Sequence, residues 1–528
     1  MASLAIQPAI GLPTTAHKPH PLLDKKQVGS IRHIGNLARQ LKNDWSSMEG
    51  PTDLKQDFAA FQFQLAYMSY ALALAHFHRL PAAPGVFKNT YERLIEKMLL
   101  PEVWYMWRDV SRGGGLFNHE AGITDGWVDP IVKDNIMYSA YVQSMALLYN
   151  VLFDDDRYAQ PGALTLKQAT PMWYPMEGYT FVYDQNSVNE RVYWNMVESG
   201  YLGVACEPHC VFLACNQPAI LGFRFHDMLT GGATADEVTE GFTKAWAEFG
   251  GFLDETGSFQ TVIQTHLDNK VTAGMDTWSD GWTGCLMHAW NPDFVKENYE
   301  RQRDRWMVRR QDGLLSINLP EHLAHPDLTA GPLCGMGWLA MLASEVGDAE
   351  TVEGLLAYAD QYMEPEWLRG GYRYPRNDHE YDDEGNLVIM NPAQSNAFFP
   401  YARLNVPDGL HLLYSRPWSR GHFAEPALTE VDFSIDIYRA VYDRDADVLL
   451  FDAVLSDGQM KKSGEIFVAR VLGRSDWTLC RDDTVIARGS KDGMVGEVGE
   501  RGSVHGEADG LRLRIEHTDL VPYKIIWS

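Results

Sequence analysis

Three cysteines, Cys206, Cys210 and Cys215, lie within the segment GVACEPHCVFLACNQPAILGFRFHD (residues 203–227). A thiol works as a base only where its surroundings lower its pKa from about 8.5. Pro208 suits a first helical turn, so the segment predicts a helix over about 207–230 with Cys206 just before its N-terminus. There the free N–H groups and the helix dipole favour a thiolate. Cys215 follows nine residues later, about half a turn out of phase on a regular helix. The two thiols can face one cavity only if Cys206 belongs to the preceding loop. The competing reading makes all three small buried hydrophobes, and for Cys210 it is the preferred one.

Helical patterning dominates from about residue 30 to 400. QFQLAYMSYALALAHFH (62–78) is apolar almost all round, as an inner helix covered on every side would be. Further helical patterns recur near 87–109, 133–153, 207–230, 235–250, 277–291, 329–346 and 348–363. Gly- and aromatic-rich turns at Gly113, Gly250, Asp312 and Gly370 separate several of them, and a spacing of roughly 60 residues suggests stacked helical hairpins. After about residue 430, FSIDIYRAVYD, VLLFDAVL, EIFVARVL, TVIARGS and LRLRIEH are short, β-branched and alternating, which reads as antiparallel strands. The expected fold is mainly α. It has a flexible arm over 1–28, an (α/α)6-type helical toroid over 29–428 and a small antiparallel β-module over 429–528.

Forty-five basic against 71 acidic residues give a net charge of −26, which repels phosphate backbones and anionic lipid heads. Nucleic acid and membrane are therefore not expected partners. Six cysteines in 528 residues do not make a disulfide framework. The start, MASLAIQPAIGLPTTAHKPHPLLDKK, has proline and glycine where a signal peptide has its apolar core. No uninterrupted apolar run of about 18 residues stands out as a membrane span. A soluble, cytoplasmic protein is expected. Its 16 tryptophans and 24 tyrosines leave material to line an apolar pocket.

CEPHCVFLACNQ resembles the cysteine-bearing segment of the linalool dehydratase/isomerase family, in which two cysteines at this same spacing lie at the substrate. KDNIMYSAY (133–141) resembles that family's NIMYSGH-type helix, and DFAAFQFQLAYMSYALALAHFHRLPAAP (57–84) its N-terminal inner helix. The motifs keep their order between about residues 45 and 400 and leave the β-module unaccounted for. The resemblance implies Cys206 and Cys215 as active-site cysteines, Asp57 as the catalytic aspartate and Met137 as a pocket methionine. Tyr138, His209 and Asn216, from the same stretches, are expected to line the substrate. Two positions depart: Tyr141 stands where the family has an active-site histidine, and Phe63 where it has a tyrosine six residues after the aspartate. The resemblance further implies acid–base chemistry on a small apolar, isoprenoid-type substrate, with no metal or other cofactor, and a homo-oligomer. The departures point away from linalool itself and toward a larger carbocation or a polyene.

Other readings compete. FDDDRY (153–158) is similar to a magnesium-binding aspartate motif but lacks its final spaced carboxylate, so a solvated acidic turn is the better reading. No Cys/His set has zinc spacing, and neither a G-x-G-x-x-G unit nor a P-loop is present. His226 and Asp227 are adjacent and point apart on a helix, while His76 and His78 suit the capping of a buried helix end. A toroid followed by a β-module is also the layout of many polysaccharide lyases and uronate hydrolases, for which Asp125, Trp127, Asp129 and Asp134 could furnish a groove. A non-catalytic scaffold is the third reading. A deep apolar cavity favours the isoprenoid reading and an open polar groove the sugar reading.

Overall fold

The computed structural model describes residues 21–49, 61–115, 117–169, 172, 177–274, 277–318, 335–457, 461–491, 493–497 and 503–528. Asp57, assigned above from its motif, lies outside the described residues.

Every residue of the helix Phe61–Leu74 is buried. A helix with no polar face is stable only where neighbours cover it on all sides, and here a ring supplies them. It packs on Ile136–Phe153, which packs on Leu213–Thr230; Thr277–Met287 and Met336–Val346 follow. A π-turn, Gln394–Phe398, then runs into Phe399–Leu404, which returns to Phe61–Leu74. Each of the first five inner elements is followed by an amphipathic outer helix: Pro84–Met98, Gln185–Glu198, Thr234–Ala247, Pro292–Trp306 and Ala349–Tyr362. Lys25–Ala38, opened by an Asp24 capping box, packs outside the sixth. The result is a helical toroid of stacked hairpins. Against the expectation that no such run stands out, Ile136–Phe153 has the length and composition of a membrane span; in the ring it is mostly buried against its neighbours.

Two expectations need correction. The helix expected over 207–230 begins only at Leu213, because Cys210–Phe212 is taken up as a strand pairing with Val262–Gln264. The arm expected over 1–28 has already become helix at Lys25. The antiparallel β-module has, among the described residues, ten strands in two sheets. One sheet runs Ala427–Val431, Gly464–Ala469, Gly510–Ile515, Val504–Glu507. The other runs Ile435–Asp443, Val448–Leu455, Val521–Trp527, Trp477–Arg481, Thr484–Ser490, Gly493–Glu497.

The module shares one apolar core with the toroid. Backbone hydrogen bonds run from Leu428 to Ala82 (2.8 Å) and from Ala82 to Ala440 (3.1 Å). Buried Arg32 donates to the Ile435 carbonyl (2.8 Å) and pairs with Asp436. At Gly85 a Cβ atom would stand 2.7 Å from the Thr429 backbone, so only glycine permits this approach.

Candidate functional site

The cysteine loop is held from three sides. Asp134 and Asn135 both take left-handed backbone angles (φ 53° and 52°), a conformation that Asp and Asn tolerate better than most residues. That twist turns the start of Ile136–Phe153 toward the loop. The Asn135 amide donates to the Cys206 carbonyl (2.9 Å) and the Ile136 amide to that of Ala205 (3.2 Å). The Asn118 side chain donates to Pro208 (2.8 Å), and the Cys206 amide to Cys210 (2.8 Å).

Cys206 therefore belongs to the loop, while Cys215 sits in the first turn of Leu213–Thr230. The two thiols are both buried, and each acts on the other's ionisation. The expected thiolate at Cys206 is corrected on two grounds. The helix N-terminus lies at Leu213 rather than Pro208. In addition, burial pushes both thiols up, Cys206 well above the usual range, with the neighbouring Glu207 adding to the rise. A helix dipole contributes roughly 0.3–1 kcal/mol, less than the cost of burying an unpaired anion. Both sulfurs stay protonated.

Glu207 is a site residue that the sequence reading missed. Desolvation raises its pKa, the adjacent Cys206 thiol opposes that rise, and its Oε2 atom has no hydrogen-bond partner. The signal was present in the CEP tripeptide, a carboxylate next to a singled-out cysteine. Cys210 is buried, its Sγ 3.6 Å from the Pro208 carbonyl, in keeping with a small packed hydrophobe.

Tyr141 is fully buried beside both thiols, and burial holds its hydroxyl far above the ordinary phenol range. Tyr67 faces it with ring centroids 6.1 Å apart, and neither hydroxyl completes a well-formed hydrogen bond. Phe63 meets Tyr141 edge-on at 5.8 Å and Trp282 at 5.3 Å. Trp282 stacks on Trp338 at 5.1 Å, and Trp338 meets Phe398 at 3.9 Å. Protonated thiols, one carboxyl and two unpartnered phenols thus adjoin a wall of aromatic rings. Such a group can give, take and pass protons, and its ring faces can stabilise positive charge.

Of the four expected lining residues, Tyr138 and Asn216 spend their polar groups elsewhere. Tyr138 donates its hydroxyl to the Met98 carbonyl (2.9 Å), toward the outer helix. Asn216 spends its amide on the loop backbone, accepting from Val204 (2.8 Å) and donating to Val204 (3.1 Å) and Phe212 (2.8 Å). These bonds shape the cysteine loop. His209 is exposed at φ 70°, and Met137 is half-buried against the core.

The set suggested for a sugar groove does not converge either. Asp129 accepts from Tyr183 (2.8 Å), Trp127 packs on Trp107 (5.7 Å), Asp125 is exposed, and Asp134 is half-buried, its pKa raised to about 6 by desolvation. Asp155 of FDDDRY is held by Lys88 (2.7 Å) and Tyr149 (3.0 Å), and Asp227 accepts from the Ala235 amide (2.7 Å).

An open cleft of about 990 Å³ lies elsewhere, where the β-module meets the toroid. Trp418 and His422 stack there at 3.9 Å, and Glu425 pairs with His422 (3.3 Å) and Arg444. His76, buried against Trp418 at 4.9 Å, is pushed down to about 3 by desolvation.

Comparison with known proteins finds that a family model for linalool dehydratase/isomerase matches residues 62–380. Among solved structures, an inactive variant of the α-1,6-mannanase GH76A of Salegentibacter sp. HEL1_6, in complex with α-1,6-mannotetrose, matches at 11% identity and TM-score 0.39. That match covers 74% of this chain and 100% of the mannanase. The unsaturated glucuronyl hydrolase of Bacillus sp. GL1 matches at 12% identity and TM-score 0.39, covering 74% and 97%. The Lin0763 protein of Listeria innocua matches at 10% identity and TM-score 0.42, covering 72% and 97%.

Proposed function

The chain belongs to the linalool dehydratase/isomerase family, and from that premise we propose an acid–base enzyme acting on an isoprenoid-type alcohol or polyene. One observation carries the proposal: the buried Cys206–Cys215 pair, flanked by Glu207 and Tyr141, adjoins the aromatic wall of Phe63, Trp282 and Trp338. Allylic dehydration or isomerisation needs one group to protonate the leaving hydroxyl or an alkene carbon, and another to remove a nearby C–H proton. In this proposal Asp57 and Tyr141 serve the acid end. Cys206 and Cys215 relay the proton, and Glu207 takes it from Cys206. Side chains supply every acid–base group, so turnover survives exhaustive chelation; an obligatory need for magnesium would return attention to FDDDRY.

Within that reading, isomerisation or ring closure of a terpenoid or meroterpenoid ranks above simple dehydration. Tyr141 exchanges a group that titrates near neutrality for a phenol, which donates well and accepts poorly at pH 7. Phe63 keeps a ring face for a cation and lacks the hydroxyl that would hold water. The test incubates pure enzyme with linalool, geraniol, farnesol and prenylated aromatics in heavy water. A cyclised or isomerised product carrying one new deuterium supports the ranking, and efficient myrcene formation from linalool overturns it.

A second reading, saccharide chemistry, is favoured by the open cleft with its stacked Trp418 and His422 beside Glu425. It requires turnover of an oligosaccharide that Glu425→Gln abolishes and Cys215→Ala leaves intact.

A further inference from the structure

The open cleft at the junction with the β-module lies far from the aromatic wall. The inner helix Phe61–Leu74 and the π-turn Ala75–Arg79 that continues it carry Phe63 near one end and His76 toward the other. Thirteen residues separate the two, roughly 20 Å at 1.5 Å per residue. Phe63 belongs to the wall and His76 lines the cleft.

The groups around the cleft restrict what it can hold. Three cations, Lys88, Arg444 and Arg470, line it against four carboxylates, Glu425 among them, in a chain of net charge −26. Ile136–Phe153 also ends there, and a helix C-terminus carries partial negative charge. Anions are therefore disfavoured. A free amine gains little from Glu425, whose two oxygens already pair with His422 (3.3 Å) and Arg444.

The cleft does offer one bare acceptor and one set of bare donors. His76 is 1% exposed, its ring stacked between Phe87 (5.0 Å) and Phe153 (5.3 Å). Nδ1 lies 3.1 Å from the Leu80 carbonyl, which places the proton on that nitrogen, and desolvation keeps the imidazole neutral. Nε2 is then a lone-pair acceptor, without a partner among the described residues. Half-buried Arg470 donates Nε to the Glu425 carbonyl, while its two terminal nitrogens have no partner among the described residues. An aromatic ridge lies beside them. Trp418 is covered by His422 and packs on Phe77 (4.9 Å), whereas half-buried Phe423 has only edge-type contacts, to His422 (5.4 Å) and Trp418 (6.1 Å).

A ligand that suits this lining is neutral, gives and takes hydrogen bonds, and has an apolar face. A pyranose meets each condition, since every hydroxyl is donor and acceptor at once and the C–H face of the ring packs on an aromatic side chain. The volume of about 990 Å³ is at the upper end for small-molecule sites and calls for several sugar rings rather than one.

We propose that the junction cleft binds a neutral oligosaccharide and holds it without cleaving it. Its hydroxyls bond to Nε2 of His76 and to the Arg470 guanidinium, and one pyranose ring packs on Phe423. Glycosidic cleavage needs one carboxyl free to give a proton and a second free to attack or to activate water, and Glu425 is engaged at both oxygens. This departs from the saccharide chemistry considered above, because the ligand is retained and not turned over.

The test is calorimetric titration of the whole protein with maltotetraose, cellotetraose, mannotetraose, xylotetraose and chitotetraose. At least one should bind with a Kd below about 1 mM, while tetragalacturonate and spermidine should bind more weakly. Phe423→Ala should weaken that binding by at least about tenfold, and so should His76→Phe, which keeps a ring in the stack and removes Nε2. Chromatography after prolonged incubation should return the tetraose intact. The Cys206→Ala/Cys215→Ala protein should bind it as the wild type does, so the outcome is independent of the isoprenoid reading. Binding of none of these sugars, tighter binding of tetragalacturonate or spermidine, full affinity in Phe423→Ala, or release of shorter sugars would overturn the proposal.

Discussion

The axis of the toroid and its junction with the β-module handle charge in opposite ways. At the axis, Cys206, Cys215, Tyr67 and Tyr141 are wrapped in aromatic rings, burial raises every one of their pKa values, and each stays neutral. At the junction, Glu425, Arg444 and His422 line an open cleft and compensate one another, with the Arg444 end well exposed. A proton moved at the axis meets little water that could intercept it, and a developing cation finds ring faces instead of a nucleophile. A charge placed in the cleft is screened. The chemistry proposed for this chain needs the first environment.

The sharpest way to break that contrast is Tyr141→Phe. Its hydroxyl is buried without a well-formed partner, so removing it should leave the fold as stable or more stable by about 1 kcal/mol. Turnover should nevertheless fall by about a hundredfold, the scale of acid–base groups. Thermal unfolding and initial rates on one preparation read both. A stability loss with unchanged turnover would make Tyr141 a packing residue.

Glu207→Gln should lower turnover by about a hundredfold at most and remove an acidic limb from the pH–rate profile. The sign follows from the raised pKa of Glu207: its basic form disappears as pH falls through that value, and Gln has no basic form to lose. A profile that keeps the same limb would remove Glu207 from the chemistry.

A smaller effect is expected at Asp134, where burial raises the pKa from 3.8 to about 6. A carboxyl raised in the folded state contributes its stability below the unfolded pKa and loses it as pH climbs through the folded value. Asp134→Asn should therefore match the wild type below about pH 4 and exceed it by about 1–2 kcal/mol at pH 7. Asn also suits the left-handed backbone there. Denaturant melts at the two pH values check this, and equal stabilities at pH 7 would contradict it.

In the cleft, Arg444→Ala removes an exposed partner of Glu425. Stability should move by no more than about 0.5 kcal/mol, and turnover of an isoprenoid substrate by less than about twofold, as for surface changes remote from a site. A large loss of turnover would shift the chemistry from the axis to the cleft.

How much of this could be read in the sequence depended on the kind of signal. The inner helix at 61–74 was legible because a run apolar on every side has one stable environment. The cysteine pair was legible through its spacing and family likeness. The helix start was misplaced because Pro208, a good first-turn residue, stands in a loop that then pairs as strand Cys210–Phe212 with residues about fifty positions later, a tertiary choice that no local pattern carries. Thiol ionisation was misjudged for a related reason: desolvation depends on what the rest of the ring packs over the site. Tyr138 and Asn216 share motifs with site residues yet face an outer helix and the loop backbone, because a motif records neighbours in sequence and not the direction of a side chain.

The most direct test of the central claim is turnover by the Cys206→Ala/Cys215→Ala protein in heavy water, with folding verified by its melting curve. The account predicts at least about a hundredfold loss of product and of deuterium incorporation in a protein that stays folded. Wild-type product formation by that double variant, with the same deuterium uptake, would contradict it.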